Sequence, residues 1–275
     1  MCVVSFAWQW RPEMPLLLAA NRDEYYARAS APLAFWPGTN IAAGRDLAVD
    51  VPSTWLGITR TGRFAFLTNV RHPAERRPDA PTRGALVADF LSGLDDPADY
   101  IAHVAGKARR YNAFNLIVGS VGAMHSDCWS LHSLDDAPQR LAPGIYGLSN
   151  AKLDTPWPKV RKLVADFTLA AASRAGDSTF FKLLADSAPA QEHELPSTGV
   201  SLEWERALSP IHIATDRYGT RASSVLRVAR GENGTDIRFK ERTFHAPEES
   251  AQRQMVDHAL QFALEPQPFK TIGVS

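Results

Sequence analysis

Two apolar, β-prone runs open the chain, Val3 to Trp8 and Pro15 to Ala20, with a break around Arg11-Pro12-Glu13 between them. This pattern predicts a β-hairpin at the start of the fold. The second run stops at Asn21-Arg22-Asp23-Glu24, four strongly polar residues in succession, each costly to bury without a partner. Side chains alternate along a strand, so Asn21 and Asp23 share one face while Arg22 and Glu24 share the other. The hairpin therefore carries a polar end close to the second residue of the chain, Cys2.

Further along, Trp55 to Thr59 and Arg63 to Thr68 flank a Thr61-Gly62 turn and predict a second strand pair, with Gly57 an irregularity in its middle. Leu86, Val87, Phe90 and Leu91 fall at helical spacing, with Thr82 placed to cap and Gly93 to stop the helix. Asp96-Pro97 predicts a second helix running to about Arg109. Strands are expected at 114–118, 128–131 and 145–148. A third helix opens at Pro156 and carries Val160, Leu163, Val164 and Phe167, and Asp177 caps a fourth through Leu184. Residues 187–200 read as loop, 211–213, 223–228 and 237–244 as strands, and 248–264 as containing a helix. Strands and helices without strict alternation predict an α+β fold with largely antiparallel sheets covered by helices. No internal repeat, low-complexity stretch or long polar linker divides the chain, so residues 1–275 are read as one domain.

With 30 Lys plus Arg against 30 Asp plus Glu, the formal charge is zero, so no global field draws the protein to nucleic acid or anionic lipid. Any charged ligand must be recognised locally. No apolar run approaches the ~18 residues that mark a membrane span, and the opening residues lack the basic and apolar regions of a secretory signal. A cytoplasmic protein is expected. The histidines are scattered and no Cys-x2-Cys spacing occurs, so no metal site is expected.

There are two cysteines, Cys2 and Cys128. A disulfide between them is disfavoured in a large chain of a reducing compartment. Cys128 lies in an apolar strand and reads as inert filling. Cys2 differs, because methionine removal acts when residue two is small and would leave Cys2 first. An amino-terminal cysteine brings its own base, since an α-amine has a pKa of ~7.7–8.0 and lies within reach of the thiol. Asp23 is the candidate to orient that amine. Asn69 and Asn150 each end an apolar run, and a neutral, directional amide is a suitable donor to the oxyanion of acyl transfer. Arg221 is placed to lower the thiol pKa or to bind a carboxylate.

Met1-Cys2-Val3-Val4, Leu18 to Arg28 around the Asn21-Arg22-Asp23-Glu24 string, Thr54 to Ile58, Leu67-Thr68-Asn69, Arg83-Gly84, Tyr111 to Leu116, Gly147 to Asn150, Thr155-Pro156-Trp157 and Tyr218 to Arg221 together resemble the NRDE family. This is the family of the transport and Golgi organisation protein two. The resemblance implies an N-terminal nucleophile hydrolase-like fold, a four-layer αββα sandwich of two mainly antiparallel sheets between helices. The active relatives it implies are choloylglycine hydrolases and penicillin V acylases, which cleave linear amides with an N-terminal cysteine. It gives Cys2 the nucleophile position, Asp23 the amine-orienting position, Asn69 and Asn150 the positions near the oxyanion, and Arg221 that of a late arginine. Asn21 and Arg22, from the polar string itself, are expected to bind substrate. Those amidases carry Arg-Asn-x-Asp, whereas this chain has Ala20-Asn21-Arg22-Asp23. Arg22 is expected on the face opposite Asp23, which leaves the thiol short of a cation and raises its pKa. The expected function is hydrolysis of a linear amide, ester or thioester acyl substrate without a required cofactor. The alternative is a non-enzymatic haem-binding, trafficking or lipid-homeostasis protein on the same fold, with haem as a carried ligand.

Overall fold

The computed structural model describes residues 2–73, 77–122, 126–135, 137–232, 234–244 and 255–266. In chain order its strands are β1 (Cys2–Arg11), β2 (Met14–Tyr25), β3 (Ser30–Phe35), β4 (Ile41–Asp46), β5 (Leu56–Thr59), β6 (Arg63–Asn69), β7 (Phe114–Val121), β8 (Ser126–His132), β9 (Gln139–Arg140), β10 (Gly144–Leu148), β11 (Tyr218–Gly231), β12 (Gly234–Phe244) and β13 (Met255–Ala263). The helices are α1 (Gly84–Ser92), α2 (Pro97–Ala105), α3 (Pro158–Ala172), α4 (Asp177–Leu184) and α5 (Leu202–Ala207). The opening hairpin forms as its two apolar runs predict, and it supplies the second and third strands of a six-stranded sheet of order β10-β1-β2-β11-β12-β13. A seven-stranded sheet runs β3-β4-β5-β6-β7-β8-β9. Every strand pairing is antiparallel.

Strand alternation sorts the hairpin residues into two cores. Val4, Phe6, Trp8, Leu16 and Leu18 point inward and meet Leu56, Ile58, Phe64, Phe66 and Ile117 of the second sheet. Ring pairs join the layers, Phe6 to Phe66 at 5.2 Å between centroids and Trp8 to Phe64 at 5.7 Å. Val3, Ala7, Leu17 and Ala19 point outward under Val160, Leu163, Phe167 and Phe180 of α3 and α4. On the far side, α1 and α2 cover Ala65, Leu67, Leu116 and Val118. The result is a helix–sheet–sheet–helix sandwich. Each fully buried Phe or Leu in these layers contributes about 1.5–3 kcal/mol. The close approach of α3 to β10 depends on Gly147, where a Cβ would stand 2.5 Å from Val164 Cγ2 and 2.6 Å from Val160 Cγ1. The predicted Thr61-Gly62 turn forms, with Gly62 at φ +81°.

Several expectations are corrected. The helix expected within 248–264 is strand over β13; residues 248–254 lie outside those described. Its good helix formers are overridden by pairing with β12, which places Leu260 and Phe262 over the core at period two. Residues 211–213 are irregular, with only the isolated bridge Ala214–Gly219 beside them, although Ile211 and Ile213 are buried. Thr82 does not cap α1, whose cap position is Arg83 without a side-chain bond. Asp177 is the first residue of α4 rather than its cap, and it pairs with Arg227 at 2.5 Å and Lys240 at 2.9 Å.

Candidate active site

In an antiparallel pair, directly opposed residues point to the same face. The register therefore builds rows across the inner face of the six-stranded sheet. Trp8, Leu16, Val228 and Ile237 form one row, and Phe6, Leu18, Leu226 and Phe239 the next. Then polarity enters with Val4, Ala20, Ser224 and Glu241, and the last row is Cys2, Arg22, Ala222 and Thr243. The dry core thus grades into a polar end, where a cavity of about 400 Å³ opens. Cys2, Arg22, Asp23, Asn69, Arg221 and Glu241 all border it. An adjoining cavity of about 700 Å³ shares Glu24, Arg28, Asn69 and Arg83 with the first.

Arg22 lies directly opposite Cys2 and on its face. The expectation that the thiol lacks a cation is therefore corrected: Ala20 sits one row deeper, and Arg22 supplies the charge from the polar row itself. Burial pushes the Cys2 thiol up, with Asp23 adding to the rise. The chain's amino terminus, Arg22 and a hydrogen bond donated by the Asp23 peptide N–H pull it down. Asp23 is on the opposite, helix-facing side of the sheet, so thiol and carboxylate bracket the amino end of β1 from its two faces. One Asp23 oxygen accepts a hydrogen bond from Thr220 Oγ1 at 2.8 Å. Burial raises the Asp23 carboxyl, and Lys159, the amino terminus, Thr220 and Arg22 counter that rise.

The two sheets are tied at the site by a buried polar chain. Ser149 Oγ donates to the Cys2 carbonyl at 2.9 Å, Thr68 Oγ1 donates to the Ser149 carbonyl at 2.5 Å, and Asn115 Nδ2 donates to Thr68 Oγ1 at 3.0 Å. Asn150 Nδ2 donates to the Asn69 carbonyl at 2.9 Å. Asn69 borders the cavity; Asn150 is buried outside its lining and holds Asn69 in place, which replaces its expected direct role at the oxyanion. Asn21, expected to bind substrate, is turned to the helix side. Its Nδ2 donates to the carbonyls of Leu184 at 2.8 Å and Ile211 at 2.9 Å, and its Oδ1 accepts from Ser223 Oγ at 2.6 Å. Arg221 is in the cavity wall, but its Nη1 donates to three carbonyls, Tyr25 at 3.0 Å, Tyr26 at 2.9 Å and Arg28 at 3.0 Å, so it clamps the loop after β2. Of the seven residues singled out in the sequence, Cys2, Arg22, Asp23, Asn69 and Arg221 meet at the cavity, and Asn21 and Asn150 support it from behind.

The sequence model of the family described as Transport and Golgi organisation 2 matches residues 1–246. The chain belongs to this family. The Transport and Golgi organization protein 2 homolog of Bos taurus is 35% identical over 246 residues, covering 83% of this chain and 88% of that protein. The Mus musculus homolog is 33% identical over 261 residues, covering 88% and 93%, and the Drosophila melanogaster protein is 28% identical over 251 residues, covering 83% and 88%. Among solved structures, the chain is similar to a Caenorhabditis elegans N-acylethanolamine-hydrolyzing acid amidase ortholog, with a TM-score of 0.48, 10% identity, and coverage of 82% of this chain and 92% of that one. It is also similar to a cysteine-to-alanine mutant of conjugated bile acid hydrolase from Clostridium perfringens, with a TM-score of 0.40, 10% identity, and coverage of 96% and 97%.

Two residues of this family member that sequence reasoning passed over stand close to the site. Lys159 is buried on α3, its ammonium lowered to about 8 by burial and drawn back up by Asp23. Its signal was available: residues 159, 163, 167 and 170 share one helical stripe, and a lysine on an otherwise apolar stripe is an anomaly. Glu241 is buried between the sheets, accepts a hydrogen bond from the Leu33 N–H at 2.8 Å, and has its carboxyl raised to about 7 by burial. Nothing local marks Glu241, because its burial comes from the packing of β12 against β3 of the other sheet, where its partner Leu33 lies 208 residues away in the chain. Among the described residues, no group of three or more His, Cys, Asp or Glu converges to hold a metal ion, and no helix is long and apolar enough to cross a membrane.

Proposed function

We propose that this protein is an N-terminal cysteine hydrolase of a linear amide, ester or thioester. The observation that carries this reading is the placement of the Cys2 thiol on the wall of the inter-sheet cavity, with Arg22 across from it on the same face and Asp23 behind it. Removal of whatever precedes Cys2 frees its α-amine beside the Asp23 carboxylate. The amine accepts the thiol proton as Sγ bonds to the acyl carbonyl carbon. The carbonyl oxygen gains negative charge, which the Asn69 amide stabilises from the cavity wall. As the bond from the acyl carbon to the leaving nitrogen, oxygen or sulfur breaks, the ammonium passes its proton to the leaving group. Water then attacks the thioester, giving one proton to the amine, and the thiol is restored as the carboxylic acid departs.

The test is a panel of acyl amides, esters and thioesters presented to the wild type and to Cys2→Ala, with intact mass recording whether Cys2 is the first residue. Turnover that Cys2→Ala abolishes is the expected result. Absence of any Cys2-dependent turnover in protein confirmed to begin at Cys2 contradicts the reading.

A further inference from the structure

The first residue of a strand frays unless it is tied down, and β1 begins at the candidate nucleophile itself. On one edge Cys2 pairs with Arg22 of β2. On the other edge β10 stops short, because its last pair with β1 is Val4–Leu148, two residues before Cys2 is reached. A side chain takes over there. Buried Ser149, the residue after β10, shares its hydroxyl hydrogen between the Cys2 carbonyl at 2.9 Å and Asn150 Oδ1 at 3.1 Å. Asn150 carries the connection to the other sheet: its Nδ2 donates to the Asn69 carbonyl at 2.9 Å, and its own carbonyl accepts the Arg71 N–H at 2.8 Å. One dipeptide thus joins the main chain of Cys2, at the start of β1, to the main chain of Asn69, at the end of β6. The dipeptide is itself fixed from behind, where Thr68 Oγ1 donates to the Ser149 carbonyl at 2.5 Å and Asn115 Nδ2 to the Ala151 carbonyl at 2.8 Å. Cys2 and Asn69 border the cavity, whereas Ser149 and Asn150 do not.

We propose that Ser149 is a positioning residue: through the Cys2 carbonyl it sets where Sγ stands relative to the Asn69 amide. The proposal rests on the N-terminal cysteine reading and adds to it a residue that touches neither substrate nor the reacting atoms. Acyl transfer needs two alignments at once, the thiol on the acyl carbon and a donor on the oxygen that becomes negative. A misplacement of about 1 Å between them costs on the order of 10²-fold. Without the Ser149 hydroxyl, the β10 edge of Cys2 loses its only tie among the described residues, and the first residue is free to rotate. Arg22 and the Asp23 N–H, which favour the thiolate, lie on β2 and stay where they are. Ser149 therefore governs the aim of the thiol and not its ionisation.

The experiment offers two electrophiles to Cys2 in protein whose mass confirms that Cys2 is first. With phenyl thioacetate, Sγ bonds to the acyl carbon through an oxyanion and thiophenolate leaves; with iodoacetamide, Sγ displaces iodide and no oxyanion forms. Ser149→Ala is expected to slow acylation by about tenfold or more and to leave alkylation within about twofold. Ser149→Thr, which keeps the hydroxyl, is expected to restore acylation. In an Asn69→Ala background, the further loss caused by Ser149→Ala is expected to shrink to about twofold, because no donor is left to align. Thr68→Val, which removes the bond holding the Ser149 carbonyl, supplies a second variant with the same selective loss of acylation. Equal slowing of both reagents, an unchanged acylation rate in Ser149→Ala and Thr68→Val, or the full Ser149→Ala loss persisting in Asn69→Ala overturns the proposal. Wild type that is acylated at Cys2 no faster than Ser149→Ala contradicts this proposal alone, whereas wild type that is alkylated but never acylated contradicts the hydrolase reading and this proposal together.

Discussion

Arg22 and Cys2 face each other across one strand pair, which puts a guanidinium among the groups that act on the thiol. The nearby guanidinium favours the thiolate against the cost of burial. Arg22→Gln is expected to slow iodoacetamide alkylation of Cys2 at pH 7 severalfold, because one of the groups that hold the thiol pKa down is lost; an unchanged rate would show that Arg22 does not tune the thiol. The residue types at this site were legible, since Cys2, Asp23, Asn69 and the polar string after Ala20 stand out in the chain. Their faces were not. Alternation separates Arg22 from Asp23 correctly, but only the register Cys2–Arg22 shows which of them shares the thiol's face, and register belongs to the pair rather than to either strand.

Among the elements, the joint between β2 and the helix layer depends on Asn21. Its amide satisfies the Leu184 carbonyl at the end of α4 and the Ile211 carbonyl in the following loop. Asn21→Leu is expected to cost about 2–4 kcal/mol in urea denaturation, because two buried carbonyls lose their donor; a change below about 0.5 kcal/mol, the range of a neutral surface substitution, would deny the peg its role. This is why Asn21 read as a substrate contact: a buried polar residue beside a nucleophile carries the same sequence signature whether it faces a ligand or a helix end. The opening hairpin, the four longer helices and β6 to β8 were legible from periodicity and turn residues. β3 and β4 were passed over, being short and interrupted by Pro32 and Gly44. β13 read as helix because Ala259, Leu260 and Gln261 favour one locally, while its strand conformation comes from pairing with β12.

For the whole molecule, two buried groups give stability a pH dependence that net charge does not foretell. Glu241 has a folded value of about 7 against an ordinary 4.5. The folded chain therefore holds a proton that the unfolded chain releases between those values, and stability falls as pH rises through that window. Lys159, with a folded value of about 8 against 10.5, gives the opposite slope, stability rising from about pH 8 upward. Urea denaturation at pH 5 and pH 7.5 separates the first effect. Relative to wild type, Glu241→Gln is expected to be more stable at pH 7.5 than at pH 5, by on the order of a few kcal/mol. An equal difference at both values would place the Glu241 carboxyl in its ordinary range. The same carboxyl, with Arg22, Arg28 and Arg221, shows how a chain with zero formal charge concentrates charge at one end of its sandwich.

The most direct test is mass spectrometry of the protein quenched during exposure to an activated thioester. The chain is expected to begin at Cys2, one acyl group to accumulate on that residue and then to be released as free acid, and Cys2→Ala to show neither the adduct nor the release. A chain beginning at Cys2 that forms no acyl adduct there, or that releases acid equally well as Cys2→Ala, would contradict the hydrolase reading.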